Sequence, residues 1–220
     1  MNAELFRQID TYIESLFVDD DPVLTQGLKD AAEAGLPEIQ ISPSQGKALY
    51  LIAKLCRAQH ILEVGTLGGY STTWLARALP ATGTVTTLEL DSKHAQVARK
   101  NLDRAGFASN VKIEVGPAAK TMRRMIERRE TPFDLIFIDA DKPGYLEYLD
   151  LSLELSRPGT VILADNLIRD GEVMDANAAD ENARAARAFN EKLAAHPRLE
   201  SIILPFVKTR VDGMSISIVK

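Results

Sequence analysis

The apolar run Leu135–Ile138 ends in three ionisable residues within four positions, Asp139, Asp141 and Lys142 (IDADKPGY). Buried charge is costly unless it is paired or bound to metal, so a strand of this kind must open at a wet edge. Parallel α/β sheets keep their chemistry at such edges. A second apolar run, 160–164, ends in the same way, in Asp165 and Asn166 (LADN). Asp139, Asp165 and Asn166 at neighbouring strand ends offer two carboxylates and an amide oxygen. An all-oxygen set suits a hard cation, Mg²⁺ or another divalent ion such as Mn²⁺ or Ca²⁺. The three histidines, His60, His94 and His196, have no zinc-like spacing and read as structural or surface groups. Asp141 either orients Lys142 or faces solvent.

A second constellation lies earlier in the chain, in EVGTLGGYS (63–71). Gly65, Gly68 and Gly69 permit a tight turn and a close approach of backbone to ligand. The spacing is neither the G-x-G-x-x-G of dinucleotide sites nor a phosphate-binding P-loop. Glu89, at the end of the next strand, suits the two hydroxyls of a ribose. Glu63, at the strand end before the turn, suits a cationic ammonium, held directly or through water. Gly116, Pro117 and Ala118 (GPA) form a small-residue turn against which an adenine ring could lie. A cationic adenosine ligand without phosphate fits these clues together, and S-adenosylmethionine is that ligand. Each clue also has a plainer explanation: Asp91 as a helix cap, Pro117 as a first-turn proline, Asp165-Asn166 as a turn.

These residues need a frame. Leu5, Ile9, Ile13 and Leu16 recur at helical spacing. A second helix begins at the cap Asp21 with Pro22 and stops at Gly35. After a loop, LPEIQISPS, the residues Ser42, Pro43 and Gln45 announce a third helix with a capping box. It carries Leu49, Ile52, Ala53 and Cys56 inward, which makes Cys56 core filling. From residue 60, short apolar strands at 60–64, 84–90, 111–115, 133–138 and 160–164 alternate with helical patterns at about 71–79, 92–105, 118–129 and 143–156. That alternation predicts an α/β fold, an open doubly wound, mostly parallel sheet. A helix near 180–195 and two adjacent antiparallel strands, LESIILPF and MSISIVK, close the chain.

Composition bounds the class. The chain has 220 residues, 45% hydrophobic and 26% charged, with a net charge of −5. We expect a single domain over 1–220: N-terminal helices and a cofactor-covering loop in 1–57, and a Rossmann-like core in 60–220. The negative charge argues against nucleic acid as a partner. The lone Cys56 points to a reducing, cytoplasmic setting. Neither a signal peptide nor an apolar stretch long enough to span a bilayer is evident, so no membrane is expected.

In order and spacing, QISPSQG, EVGTLGGYS, LEL, GPA, FIDADKPGYLEYL and LADNLIRDGEV resemble the cation-dependent O-methyltransferases. That family includes caffeoyl-coenzyme A and catechol O-methyltransferases and bacterial relatives, and the likeness runs over residues 36–219. It implies a class I S-adenosylmethionine-dependent methyltransferase fold. Asp139, Asp165 and Asn166 are then the metal ligands and Lys142 the general base. Ile41, Glu63, Gly65, Thr66, Ser71, Glu89 and Ala118 line the S-adenosylmethionine site, with Asp139 touching its amino end. The acceptor is a vicinal-diol phenolic small molecule. Relatives are commonly homodimers, and the apolar first helix could serve that contact.

Two departures bear on substrate. Catechol-specific members carry an acidic residue shortly before VDG, where this chain has Thr209 and Arg210 ahead of Val211-Asp212-Gly213. The cluster Arg123, Arg124, Arg128 and Arg129 reads as a solvated helix face rather than a coenzyme A phosphate site. Three competing functions are compatible with parts of this pattern. They are a nicotinamide-dependent oxidoreductase, a non-catalytic S-adenosylmethionine-binding module, and a metal-independent methyltransferase acting on another acceptor such as an amine.

Overall fold

Capping residues set the helix starts in the computed structural model, which describes residues 3–207 and 210–220. Asp21 accepts the Val23 and Leu24 amides, with Pro22 in the first turn, and opens α2 (Pro22–Glu33). Ser42 and Gln45 form the expected capping box at the head of α3 (Pro43–Leu55). Before them lies α1 (Ala3–Phe17). The alternating part follows as β1 (His60–Val64), α4 (Tyr70–Ala78), β2 (Thr84–Glu89), α5 (Ser92–Arg104), β3 (Val111–Val115), α6 (Ala118–Glu127) and β4 (Phe133–Ile138). It continues through α7 (Tyr145–Glu154), β5 (Ser156–Ala164), α8 (Glu181–Ala195), β6 (Leu199–Val207) and β7 (Val211–Val219).

The described strands form one sheet of order β3-β2-β1-β4-β5-β7-β6. The first five run parallel, and β7 is antiparallel to both β5 and β6. This is the open, mostly parallel sheet predicted, with its antiparallel C-terminal pair.

Side chains alternate across a strand, and the apolar ones divide accordingly. Ile61, Val85, Leu135, Phe137, Val161 and Leu163 pack with Leu49, Ala53, Trp74, Leu75 and Leu102 from α3, α4 and α5. Leu62, Val64, Ile136, Ile138 and Ile162 pack on the other face with Met122, Leu149 and Phe189 from α6, α7 and α8. Each such side chain contributes about 1.5–3 kcal/mol by leaving water. Gly46 permits the α3–α4 contact, because a Cβ there would lie 2.3 Å from the Trp74 ring nitrogen.

Two elements differ most from the sequence pattern. The helix expected over 143–156 starts at Tyr145, because Asp141 and Pro143 first set a 3-10 turn over Lys142–Gly144. The strand expected at 160–164 begins at Ser156 and passes through Pro158 and Gly159. That stretch meets β4 across a register shift between Phe133 and Leu135. The helix read from Leu5, Ile9, Ile13 and Leu16 is present as α1, with those residues 37–57% exposed and Asp10 buried. Both sheet faces are already covered, so α1 rests on α3 and β6 instead.

Parallel register brings three strand ends together. Asp139 N donates to Val64 O at 2.9 Å, and Asp165 N donates to Ile138 O at 3.1 Å. Gly65 follows Val64 with φ +100°, and a Cβ built there would lie 2.0 Å from the Asp139 carbonyl oxygen. Only glycine fits, on both counts. We predict that Gly65→Ala lowers unfolding free energy by about 3 kcal/mol or more, by strain and overpacking. Chemical denaturation measures it, and a loss under 1 kcal/mol would contradict the tight approach.

Candidate active site

At the C-terminal edge of the sheet lies a cavity of about 1230 Å³. Its walls include Ile41, Gly65, Thr66, Ser71, Glu89, Pro117 and Ala118, together with Asp139, Lys142, Asp165 and Asn166. Eleven of the residues singled out in the sequence thus share one space. Glu63 and Gly116 do not line it. Gly116 instead extends the β2–β3 edge, donating its N–H to Glu89 O at 2.8 Å.

Glu63 is fully buried beneath the glycine turn. Its Oε1 accepts from Ser71 Oγ at 2.6 Å and its Oε2 from Thr87 Oγ1 at 2.6 Å, with Thr72 Oγ1 also donating to Oε2. Direct contact with a ligand ammonium, one of the two modes expected from the sequence, is therefore not available to it. The carboxyl instead holds Ser71, which does face the cavity. Burial pushes Glu63 up to about 7, against the pull of the three hydroxyls, and the nearby Asp139 charge adds to the rise.

Glu89 organises the turn from its other side. Oε2 accepts the Thr66 and Leu67 amides at 3.1 and 2.8 Å, and Oε1 accepts the Asp91 amide at 2.9 Å. Those bonds occupy three of the roughly four lone-pair sites of a carboxylate, which leaves capacity for a ligand hydroxyl. His94 Nδ1 lies 3.4 Å from Glu89 Oε1 and His94 lines the cavity. The first turn of α5 thus places His94 at the cavity wall beside the end of β2.

The acidic end is built around Lys142, which is 6% exposed. Its Nζ donates to Tyr145 Oη at 2.5 Å and Ala140 O at 3.2 Å, lies 3.6 Å from Asp139 Oδ1, and stands 4.3 Å from the Tyr145 ring centroid. Desolvation lowers the Lys142 pKa, opposed by Asp139, Asp165 and Asp212. Tyr145 is fully buried, edge-on to Phe189 at 5.2 Å, so it anchors Lys142 rather than walling the cavity. Asp141 caps the following turn at Gly144 N and accepts Tyr148 Oη at 2.7 Å, which gives it a structural task. Asp165 is 1% exposed, and burial, then the Asp139 charge, pushes its carboxyl up to about 7. Asn166 is held at φ +61°, an uncommon conformation in which asparagine is enriched.

Two further wall residues escaped the sequence reading. Gln45 Nε2 reaches both oxygens of Asp165 at 3.3 and 3.2 Å. Asp212 Oδ1 accepts the Ile168, Arg169 and Gly213 amides at 2.9–3.1 Å. Arg210 lines the cavity and lies 3.4 Å from Asp212 Oδ2, while Thr209 falls outside the described residues. Arg123 pairs with Glu147, and Arg124 reaches Thr121 Oγ1 at 2.9 Å, so both belong to a surface network. Among the described residues no three of His, Cys, Asp and Glu form a metal-holding group. The oxygen donors at the strand ends are two carboxylates and an amide.

The model of a family described as O-methyltransferase matches residues 14–218 of this chain. The chain belongs to that O-methyltransferase family. A catechol O-methyltransferase of Niastella koreensis is 50% identical over 221 residues, covering all of both chains. One from Mycobacterium tuberculosis is 42% identical, covering 96% of this chain and 95% of its own. Among solved structures, the O-methyltransferase from Bacillus cereus in complex with S-adenosylhomocysteine superposes with a TM-score of 0.96 at 42% identity, over 99% of this chain and 100% of that one. An O-methyltransferase from Streptomyces achromogenes, in complex with S-adenosylmethionine, gives 0.94 at 38%, over 100% and 99%. The family resemblance and the class I methyltransferase fold read from the sequence both hold.

The buried Glu63 yields a pH prediction. Its folded pKa stands above the unfolded one, so its contribution is fully present below about 4.5 and is lost as pH rises through about 7. Stability of the native chain relative to Glu63→Gln should fall by up to about 3 kcal/mol across that window. Urea unfolding at several pH values reads it, and a flat difference would contradict the assignment.

Proposed function

We propose that this chain transfers a methyl group from S-adenosylmethionine to one hydroxyl of a vicinal-diol, catechol-type phenolic, with the help of a divalent cation. The observation that carries the proposal is the meeting, in one cavity, of the glycine turn with Asp139, Lys142, Asp165 and Asn166. The relatives named catechol O-methyltransferase support the acceptor class. The neighbours solved with S-adenosylhomocysteine or S-adenosylmethionine support the donor.

In this reading Glu89 accepts from a ribose hydroxyl with its remaining lone pair, and Pro117 and Ala118 back the adenine. Ile41 covers the donor, while Gly65 and Thr66 admit it close to backbone. Ser71, held by Glu63, and Asp139 meet its amino end. Asp139, Asp165 and Asn166 hold the cation: Mg²⁺, or another such as Mn²⁺ or Ca²⁺. The donor set fits, because burial and repulsion already push Asp165 toward its neutral form, and a positive charge relieves both. When bound, the cation supplies Lewis-acid stabilisation of a phenolate and fixes its direction.

A phenol near its reference pKa of ~10 is mostly protonated at neutral pH. Lys142, lowered by burial, takes that proton at Nζ. The phenolate oxygen then attacks the donor's methyl carbon in line, the C–O bond forming as the C–S bond breaks. S-adenosylhomocysteine leaves with the electron pair. Tyr145 holds Nζ in place, and the short ladder bonds of β1, β4 and β5 keep the two halves of the site aligned.

We assign the exposed apolar face of α1, with Ile9, Tyr12, Leu16 and Phe17, and the neighbouring Ile202 of β6, to a second copy of this chain. No helix among the described residues is long and apolar enough to cross a membrane. A small phenolic, and neither nucleic acid nor membrane, is the partner we expect, in a cytoplasmic single-domain enzyme.

The test is incubation with S-adenosylmethionine, Mg²⁺ and a panel of catechols, caffeate and caffeoyl-coenzyme A, with product mass read in the presence and absence of EDTA. We expect a singly methylated product that disappears on chelation. Product that survives complete chelation would sink the metal assignment. Lys142→Met should lower kcat by about 10²–10³-fold while S-adenosylhomocysteine affinity, from calorimetry, stays within about twofold. An unchanged kcat would remove Lys142 from proton transfer.

A further inference from the structure

The side-chain amide of Gln45 has two engagements. Its Oε1 accepts the Ser42 N–H at 3.0 Å, which closes the capping box of α3. Its Nε2 donates toward Asp165 Oδ1 and Oδ2 at 3.3 and 3.2 Å. A backbone N–H can only donate, so the carbonyl end of this amide is pinned to Ser42 and the NH₂ end must face the carboxylate. The usual ambiguity of amide orientation is thereby removed.

The geometry points to Gln45 as a positioning residue for Asp165: its Nε2 donates toward both carboxylate oxygens and holds the carboxylate at the strand end where it would meet the divalent cation, each oxygen keeping a further lone pair. The inference rests on the assignment of that cation to Asp139, Asp165 and Asn166. Carboxylates that ligate metals are themselves hydrogen-bonded by an outer partner, and loss of such partners weakens metal binding by 10–100-fold. Asp165 needs one: it is 1% exposed, and its other side-chain contact is Asn166 Nδ2 at 3.3 Å from Oδ2.

Helix capping alone does not explain an amide here. Glutamate closes a capping box equally well, but ionised it has no proton to donate and would bring a further negative charge toward Asp139 and Asp165. The position of Gln45 is fixed from behind as well. Ser42 Oγ and Ser44 Oγ are 2.8 Å apart, and Ser44 Oγ donates to the buried Asp10 Oδ1 of α1 at 2.7 Å. A string of hydrogen bonds thus runs from the N-terminal helix through the head of α3 to the strand end of β5.

The test is calorimetric titration of Mn²⁺ into the wild-type chain, Gln45→Met and Ser42→Ala, each also titrated with S-adenosylhomocysteine. Gln45→Met keeps length and helix propensity while removing both hydrogen bonds. Ser42→Ala removes the serine half of the capping box and leaves the amide in place. We expect Gln45→Met to weaken Mn²⁺ binding by 10–100-fold, with S-adenosylhomocysteine affinity within about twofold of wild type. Ser42→Ala should lower Tm without moving the Mn²⁺ affinity. Mn²⁺ binding that is unchanged in Gln45→Met, or weakened equally in both variants, would overturn the inference. Wild-type chain that binds no Mn²⁺ would overturn the cation assignment and the inference with it, and that failure shows without any variant. Should Gln45→Met not fold, Gln45→Ala repeats the measurement with the best helix former at that position.

Discussion

Two hydrogen bonds, Asp139 N to Val64 O and Asp165 N to Ile138 O, hold the ends of three adjacent parallel strands in register. Everything chemical in this protein follows from that register. Neighbouring strands stand about 4.8 Å apart, so residues that follow them in sequence converge without any loop having to carry them. Gly65, Asp139 and Asp165 occupy those places. The approach of Gly65 to the Asp139 carbonyl ties the donor side of the cavity to the acidic side. A one-residue slip in either pairing would turn each following side chain to the opposite face and separate the two halves.

Such convergence concentrates charge in a poorly solvated place, and the fold answers each charge differently. Glu63 is given three hydroxyl donors and no solvent. Glu89 is given three backbone amides and keeps an opening to the cavity. Lys142 is wrapped between Tyr145 and Asp139. Asp165 has Gln45 and Asn166 at long hydrogen-bond distances, and burial, then the neighbouring Asp139 charge, raises its pKa. A buried carboxylate left partly unsatisfied beside another carboxylate is the electrostatic form of a cation site. Among these groups it is the one whose environment calls for a ligand.

Much of this was legible in the residues. The strands 60–64, 111–115 and 133–138 stand where the sequence pattern placed them, because short runs rich in Val, Ile, Leu and Phe between turn-forming residues read as strands. The capping box of α3 could be read from Ser42 and Gln45, since capping is a local matter of spacing. The second bond made by Gln45 could not. It spans 120 residues and depends on the β4–β5 register. Glu63 looked like a ligand contact because its strand end is polar; that the side chain points under the turn, to Thr72 and Thr87, is set by β-strand parity together with the placement of α4. The apolar spacing of α1 marks a helix but not its packing partner, because other helices already cover both sheet faces. His94 carried no spacing signal at all; only the return of α5 beside Glu89 brings it to the cavity.

We propose that these strand ends form one site, with a cation held among Asp139, Asp165 and Asn166 beside the methyl donor. Anomalous diffraction from crystals grown with Mn²⁺ and S-adenosylhomocysteine tests it most directly. We expect a single strong Mn peak with Asp139, Asp165 and Asn166 oxygens at about 2.0–2.4 Å, and S-adenosylhomocysteine in the same cavity against Glu89 and Ser71. A peak elsewhere, or S-adenosylhomocysteine bound with no metal at these oxygens under saturating Mn²⁺, would contradict it.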